Sequence, residues 1–177
     1  SALFSGFSAE SIRSGLLSFK GIARRQQLRG EVRGVKVVDD FAHHPTAIDQ
    51  AVDALRQKYR PKDLWVIFEP RSNTTRRNIF QKELASALSR ADKAIVAGVS
   101  DSCKVAEEER LSPEALIVDV NARGTNGWFF ETVEQIVEHV AEHVNDGDVV
   151  AVLSNGGFDG IHEKLLQALT MTAPVSP

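Results

Sequence analysis

Val35-Lys36-Val37-Val38-Asp39-Asp40-Phe41-Ala42-His43-His44-Pro45-Thr46 reads as an apolar strand that ends in a polar loop and hands the chain to a helix. Val35 to Val38 completes a hairpin, with Gln27 to Val32 as the other strand and Arg33-Gly34 as the turn. Pro45 suits the first position of a helix, where a backbone N–H would lack a partner in any case. Ile48, Ala51, Val52 and Leu55 then fall on one face behind it. Strand, polar loop and helix in this order make a βα unit.

The same alternation continues downstream. Leu64 to Phe68 is an unbroken apolar run, the pattern of a strand buried on both faces. Ile79, Phe80, Leu84, Ala87 and Leu88 mark the next helix and Ala94 to Ala97 the next strand. Pro113 opens a further helix, Trp128-Phe129-Phe130 gives a short strand, and Val133, Ile136, Val137, Val140 and Val144 form a helical stripe. Asp148 to Leu153 and Ile161 to Leu169 supply a last strand and helix. Repeated βα units predict an α/β fold, a mostly parallel sheet flanked by helices, with an antiparallel hairpin at its edge. Upstream, Ser8 is a good N-cap for a helix carrying Ile12, Leu16 and Phe19, with Gly21 as the stop. Residues 1–21 are expected to be the end of a preceding domain or a linker helix, 22–170 the α/β domain and 171–177 a frayed tail.

Composition sets the bounds. With 177 residues, 42% apolar and 25% charged, the chain suits one domain with a full core. A net charge of −3 argues against an electrostatic nucleic-acid binder. No apolar run approaches the roughly 20 residues of a membrane-spanning helix, so no membrane partner is expected. Ser1 to Gly6 lacks the order of a signal peptide, and Cys103 is alone, so the expected compartment is the cytoplasm.

In open α/β sheets ligands gather beyond the carboxyl ends of the strands, and the unusual residues of this chain fall there. Asp40 to Thr46 leads into a helix amino terminus, which favours an anion. Asp40 at a strand end can accept from both hydroxyls of a ribose, or serve as a turn residue; His44 can be an N-cap. Arg24-Arg25 suits phosphate through its guanidinium forks, or is a solvated turn. Glu69-Pro70-Arg71-Ser72-Asn73-Thr74 combines an acid, a fork donor and small polar groups that can grip a carboxylate and an amine together. It can also cap the next helix. Gly98 to Ser102 follows another strand, and Ser154-Asn155-Gly156-Gly157-Phe158-Asp159-Gly160 is a weak glycine-rich match in which the backbone can approach a ligand. His139 and His143 have the spacing of a metal pair but lie off the apolar stripe, so a solvated face is expected and no metal site. The chain has no phosphate-binding G-x-x-x-x-G-K-[S/T] loop.

At these loops the sequence resembles the Mur ligase family, over nearly the whole chain, as that family's carboxy-terminal Rossmann-like domain. Arg24-Arg25 and Asp39-Asp40-Phe41-Ala42-His43-His44-Pro45-Thr46 carry the likeness. The resemblance implies ATP as co-substrate, with Asp40 on the ribose, Arg25 at the phosphates and His43 by the nucleotide. It places His43 and His44 at the reacting centre. His44, Thr46, Glu69, Arg71, Ser72, Asn73, Ser154, Asn155 and Phe158 would then meet substrate. Paired histidines before Pro-Thr resemble the branch that uses UDP-N-acetylmuramate directly. The segments at Phe68 to Thr74 and Ser154 to His162 resemble members that attach the tripeptide L-Ala-γ-D-Glu-meso-diaminopimelate; members that attach L-alanine are the alternative. In that chemistry ATP phosphorylates the muramate carboxylate and the donor amine displaces phosphate. The phosphate loop and the Mg²⁺ ligands would belong to amino-terminal and central domains, so the isolated chain is expected to be inactive. A free-standing ligand-binding module is the reading of a different class.

Overall fold

The computed structural model describes residues 5–18, 22–72, 74–99 and 106–171. Phe19, Gly21, Asn73, Ser100 to Ser102 and Cys103, on which expectations rested, lie outside them, as does the tail beyond Met171. Strands β1 (Gln27–Val32), β2 (Val35–Asp40), β3 (Leu64–Phe68), β4 (Lys93–Ala97), β5 (Asn126–Phe130) and β6 (Val149–Leu153) form one sheet in the order β1-β2-β6-β3-β4-β5. Only β1 and β2 pair antiparallel; every other neighbouring pair is parallel. The expected mostly parallel sheet with an edge hairpin is therefore present.

Local chemistry explains the elements. Arg33 and Gly34, at φ 54° and 74°, make the two-residue turn whose twist matches its flanking strands. β3 and β6 are buried at every residue because helices cover both faces of the sheet. Helices α2 (Pro45–Tyr59), α3 (Gln81–Leu88) and α4 (Pro113–Ala122) lie on one face; α5 (Val133–His143) and α6 (Ile161–Met171) lie on the other. The first core joins Ile48, Leu55, Leu88 and Leu116 to Val66, Phe68 and Leu153. The second joins Ile136, Val140 and Leu165 to Trp65, Ile67 and Val152. Pro45 opens α2 and Pro113 opens α4, the latter capped by Ser112, whose hydroxyl accepts from the Ala115 N–H. Thr132 and Gln135 close a reciprocal capping box on α5.

Two expectations change. Ile79 belongs to a short 3-10 turn, Asn78–Phe80, ahead of α3 and is exposed rather than part of the helix's apolar face. His139 does not share a solvated face with His143: it is half-buried, with its ring 4.7 Å from Trp128, 5.0 Å from Phe130 and 4.3 Å from His143. Parallel crossover places Trp65 and Trp128 beneath α5, and the histidine packs on them. Helix α1 (Ala9–Ser18), capped by Ser8 as expected, buries none of its residues. No helix among the described residues is long and apolar enough to cross a membrane.

Candidate functional site

The carboxyl ends of β2, β6, β3, β4 and β5 share one edge of the sheet, and the polar loops leave from it. At the β2 end Asp40 is only 4% exposed. Its Oδ1 accepts from the Ala42 N–H at 2.8 Å and its Oδ2 from the Gln26 N–H at 2.9 Å. The carboxylate thus ties the loop after β2 to the segment before β1. The carbonyl of Arg24 closes the same link by accepting from the Phe41 N–H at 2.8 Å.

The two arginines divide their tasks. Arg24 and Gln26 both take left-handed backbone, φ 58° and 47°, so the chain arches between them. Arg24 turns inward: Nη2 donates to the carbonyls of Ser154 at 2.7 Å and Gly156 at 2.8 Å, and Nε lies 3.4 Å from the buried Asp39 carboxylate. Arg25 stays exposed, its guanidinium 5.8 Å from the centre of the Phe41 ring. A planar cation parked on an aromatic face with its donors toward solvent suits an incoming phosphate.

His43 is half-buried, with Nδ1 2.8 Å from the carbonyl of Phe41. A carbonyl only accepts, so Nδ1 carries the proton, and in the neutral ring Nε2 is left as an acceptor. His44 is the N-cap residue of α2 but makes no side-chain capping bond; its exposed ring meets Phe80 edge-on at 4.9 Å. His44 and Thr46 border a recess of about 460 Å³ between α2 and α3, with Asp49, Phe80 and Glu83.

A second cavity, of about 530 Å³, opens where β3, β4 and β5 end, and Glu69, Arg71, Arg76, Glu131, Phe158 and Asp159 are among its walls. Glu69 follows β3 directly and its Oε2 accepts from the Ser154 hydroxyl; Oε1 lies 3.5 Å from Arg71 Nη1. Ser154 is fully buried and holds Glu69 from beneath, so it has no surface to offer a ligand in this arrangement. Arg71 packs against Gly156: a Cβ added there would lie 2.3 Å from Arg71 Nε. Ser72 bonds Thr75 locally, through both the hydroxyl and the backbone N–H of that residue, and so organises its loop. Asn155 keeps a buried side-chain oxygen without a partner. Phe158 and Asp159 are left-handed in succession, φ 45° and 48°, which folds the buried Phe158 ring into the cavity wall.

The structure therefore brings Glu69, Arg71 and Phe158 together, gathers Arg25, Asp40 and His43 at the other end of the edge, and sets His44 and Thr46 in a recess of their own. Asn73 lies outside the described residues. Sequence reasoning named the Arg24-Arg25 pair and the loop that holds Asp159 but gave neither Arg24 nor Asp159 a role of its own, and it missed Arg76 and Glu131, which carry no motif. No group of three or more His, Cys, Asp or Glu among the described residues is arranged to hold a metal ion.

The chain is similar to known proteins over most of its length. The UDP-N-acetylmuramate--L-alanyl-gamma-D-glutamyl-meso-2,6-diaminoheptandioate ligase of Escherichia coli (strain K12) is 38% identical over 170 residues, covering 95% of this chain and 35% of the ligase. The UDP-N-acetylmuramate--L-alanine ligase of Carboxydothermus hydrogenoformans is 31% identical, covering 91% of this chain and 34% of its own length. The crystal structure of a murein peptide ligase from Psychrobacter arcticus 273-4 superposes with a TM-score of 0.71 at 34% identity, covering 99% of this chain and 35% of that one. The chain thus spans about a third of the length of the curated relatives it matches. Residues 24–156 match the family described as Mur ligase, glutamate ligase domain, and with these likenesses the chain belongs to the Mur ligase family as its carboxy-terminal domain.

Proposed function

We propose that this chain is the carboxy-terminal part of an ATP-dependent ligase that joins L-Ala-γ-D-Glu-meso-diaminopimelate to UDP-N-acetylmuramate through an acyl phosphate, in cytoplasmic recycling of cell-wall peptide. The observation that carries the reading is the division of one sheet edge into two ends. Arg25 on Phe41, beside His43, is presented for a phosphorylated ligand; a cavity of mixed charge lies along the same edge for an amine donor. Resemblance to the tripeptide-adding branch supplies the identity of that donor.

In this reading Arg25 neutralises phosphate charge, Asp40 fixes the loop and meets the ribose, and His43 Nε2 accepts from the nucleotide. His44 and Thr46 stand at the amino terminus of α2, close to the reacting centre, while Glu69, Arg71, Ser72, Asn73, Asn155 and Phe158 position the amine donor. Ser154 acts through Glu69. The chain's part in catalysis is positioning and charge neutralisation. Mg²⁺, held by residues of the central domain, would supply charge neutralisation at the phosphates. Residues 1–21 would close that domain: α1 leaves Leu16 and Leu17 exposed, and burying them needs a surface this domain does not supply.

The test is phosphate release by the full-length protein with ATP, Mg²⁺ and UDP-N-acetylmuramate, offered the tripeptide or L-alanine in separate reactions. Turnover with the tripeptide and little with alanine is expected. Preference for alanine would move the domain to the other branch, inactivity with both would favour a binding module, and turnover by the isolated chain would contradict the shared-site reading.

A further inference from the structure

The mixed-charge cavity has a feature the ligase reading does not use. Among the described residues the buried Arg76 Nε has no hydrogen-bond partner, and the residue lines the cavity. A guanidinium N–H without an acceptor in a half-closed space is an uncompensated donor. Glu131, the residue after β5, lines the same cavity, and among the described residues its backbone N–H is engaged by the Gln135 side chain while its carboxylate has no partner. The other acids are already neutralised: Glu69 by Arg71 and Ser154, and Asp159 by Lys164 at 2.5 Å. Among the described residues, one guanidinium and one carboxylate lining this cavity therefore lack a side-chain partner.

We propose that Arg76 and Glu131 read a terminal zwitterion on the donor, Arg76 taking its carboxylate and Glu131 its ammonium. This rests on the ligase reading and adds the specificity within it. The selected class is a peptide whose last side chain ends in an amino acid, as a diamino diacid does, over one that ends in an amine alone, as lysine does. Reach agrees with a peptide donor. From the β2 loop to the end of β4 is three strand spacings, about 14 Å. Three residues extend roughly 10–11 Å by backbone alone, and a γ-link and a long side chain supply the rest. A single alanine cannot touch both ends.

The experiment uses the full-length enzyme with ATP, Mg²⁺ and UDP-N-acetylmuramate, and compares L-Ala-γ-D-Glu peptides ending in meso-diaminopimelate and in L-lysine. Arg76→Gln is expected to raise KM for the diaminopimelate peptide tenfold or more while leaving kcat, and KM for the lysine peptide, within about twofold. Arg76→Lys, which keeps the charge without the fork, recovers part of the loss. Glu131→Gln, on the rim, raises KM for both peptides. An unchanged preference in Arg76→Gln, or equal losses on both peptides, overturns the assignment while leaving the ligase reading intact. A wild type inactive on both peptides overturns the ligase reading itself.

Discussion

Replacing Asp40 by asparagine tests whether this carboxylate organises the loop or only waits for a ribose. The side chain is nearly isosteric, so packing is unchanged. Oδ1 can still accept from Ala42, but the new amide would point N–H at the Gln26 N–H, where Oδ2 now accepts at 2.9 Å. Hydrogen bonds to charged groups are worth about 1.5–3 kcal/mol, and a buried donor left unpaired costs about 1–3 kcal/mol. A loss near 2 kcal/mol follows for a site that is 4% exposed. For a domain of this size each kcal/mol moves Tm by about 2–4 °C, so the transition should fall by about 4–8 °C. Thermal unfolding followed by circular dichroism, without nucleotide, is the assay. A Tm within 1 °C of wild type would refute the reasoning and leave Asp40 with a ligand-binding role alone.

Gly156→Ala should unfold close to wild type but displace Arg71, because the guanidinium is the flexible group in the way at 2.3 Å. The expected result is a KM for the amine donor raised severalfold at constant Tm. Arg24→Ala should lower stability by about 2 kcal/mol, discounted from the cost of breaking a buried pair because Arg24 is about a third exposed. Arg25→Ala should leave stability within about 0.5 kcal/mol and weaken ATP use instead; urea unfolding and KM for ATP separate the two. Burial, the largest cause, holds the His162 pKa below its ordinary 6.5, against the pull of Asp39. The unfolded chain then takes up the proton first as pH falls, so stability is intact above about pH 6.5 and declines below it. His162→Gln should flatten that decline in urea melts between pH 7.5 and 5. His139, whose pKa burial and His143 also lower, retains a share of the slope.

The fold was legible where burial leaves a one-dimensional trace. Strands covered on both faces must be apolar at every position, so Leu64 to Phe68 and Val149 to Leu153 announced themselves. Proline at the first helical position marked α2 and α4. The candidate site was legible as far as the loops that follow those strands, since chain order alone carries them to one edge. What stayed hidden depends on three dimensions. Nothing in Arg24-Arg25 says which residue turns inward; left-handed backbone at Arg24 and Gln26 decides it. Arg76 and Glu131 reach the cavity from segments without a motif. His139 leaves the solvent because Trp65 and Trp128, from strands far apart in sequence, lie beneath its helix.

Ser154 to Gly156 joins the two ends of the edge. On the side of the β2 loop Arg24 holds the carbonyls of Ser154 and Gly156. On the side of the β3–β5 cavity the Ser154 hydroxyl donates to Glu69, and the Arg71 side chain lies against Gly156. Arg24 is in turn held by Asp39, and its own carbonyl by Phe41, the first residue after β2 on the way into the histidine loop. A shift of the arch around Arg25 therefore moves the support of Glu69, since both hang on the same three residues. The small residues there have a physical reason beyond room for a ligand. A larger side chain at Gly156 would occupy the space of Arg71, and loss of the Ser154 hydroxyl would leave the Glu69 carboxylate without its partner from below. If the proposed nucleotide and donor sites lie at these two ends, this segment is a direct physical link between them.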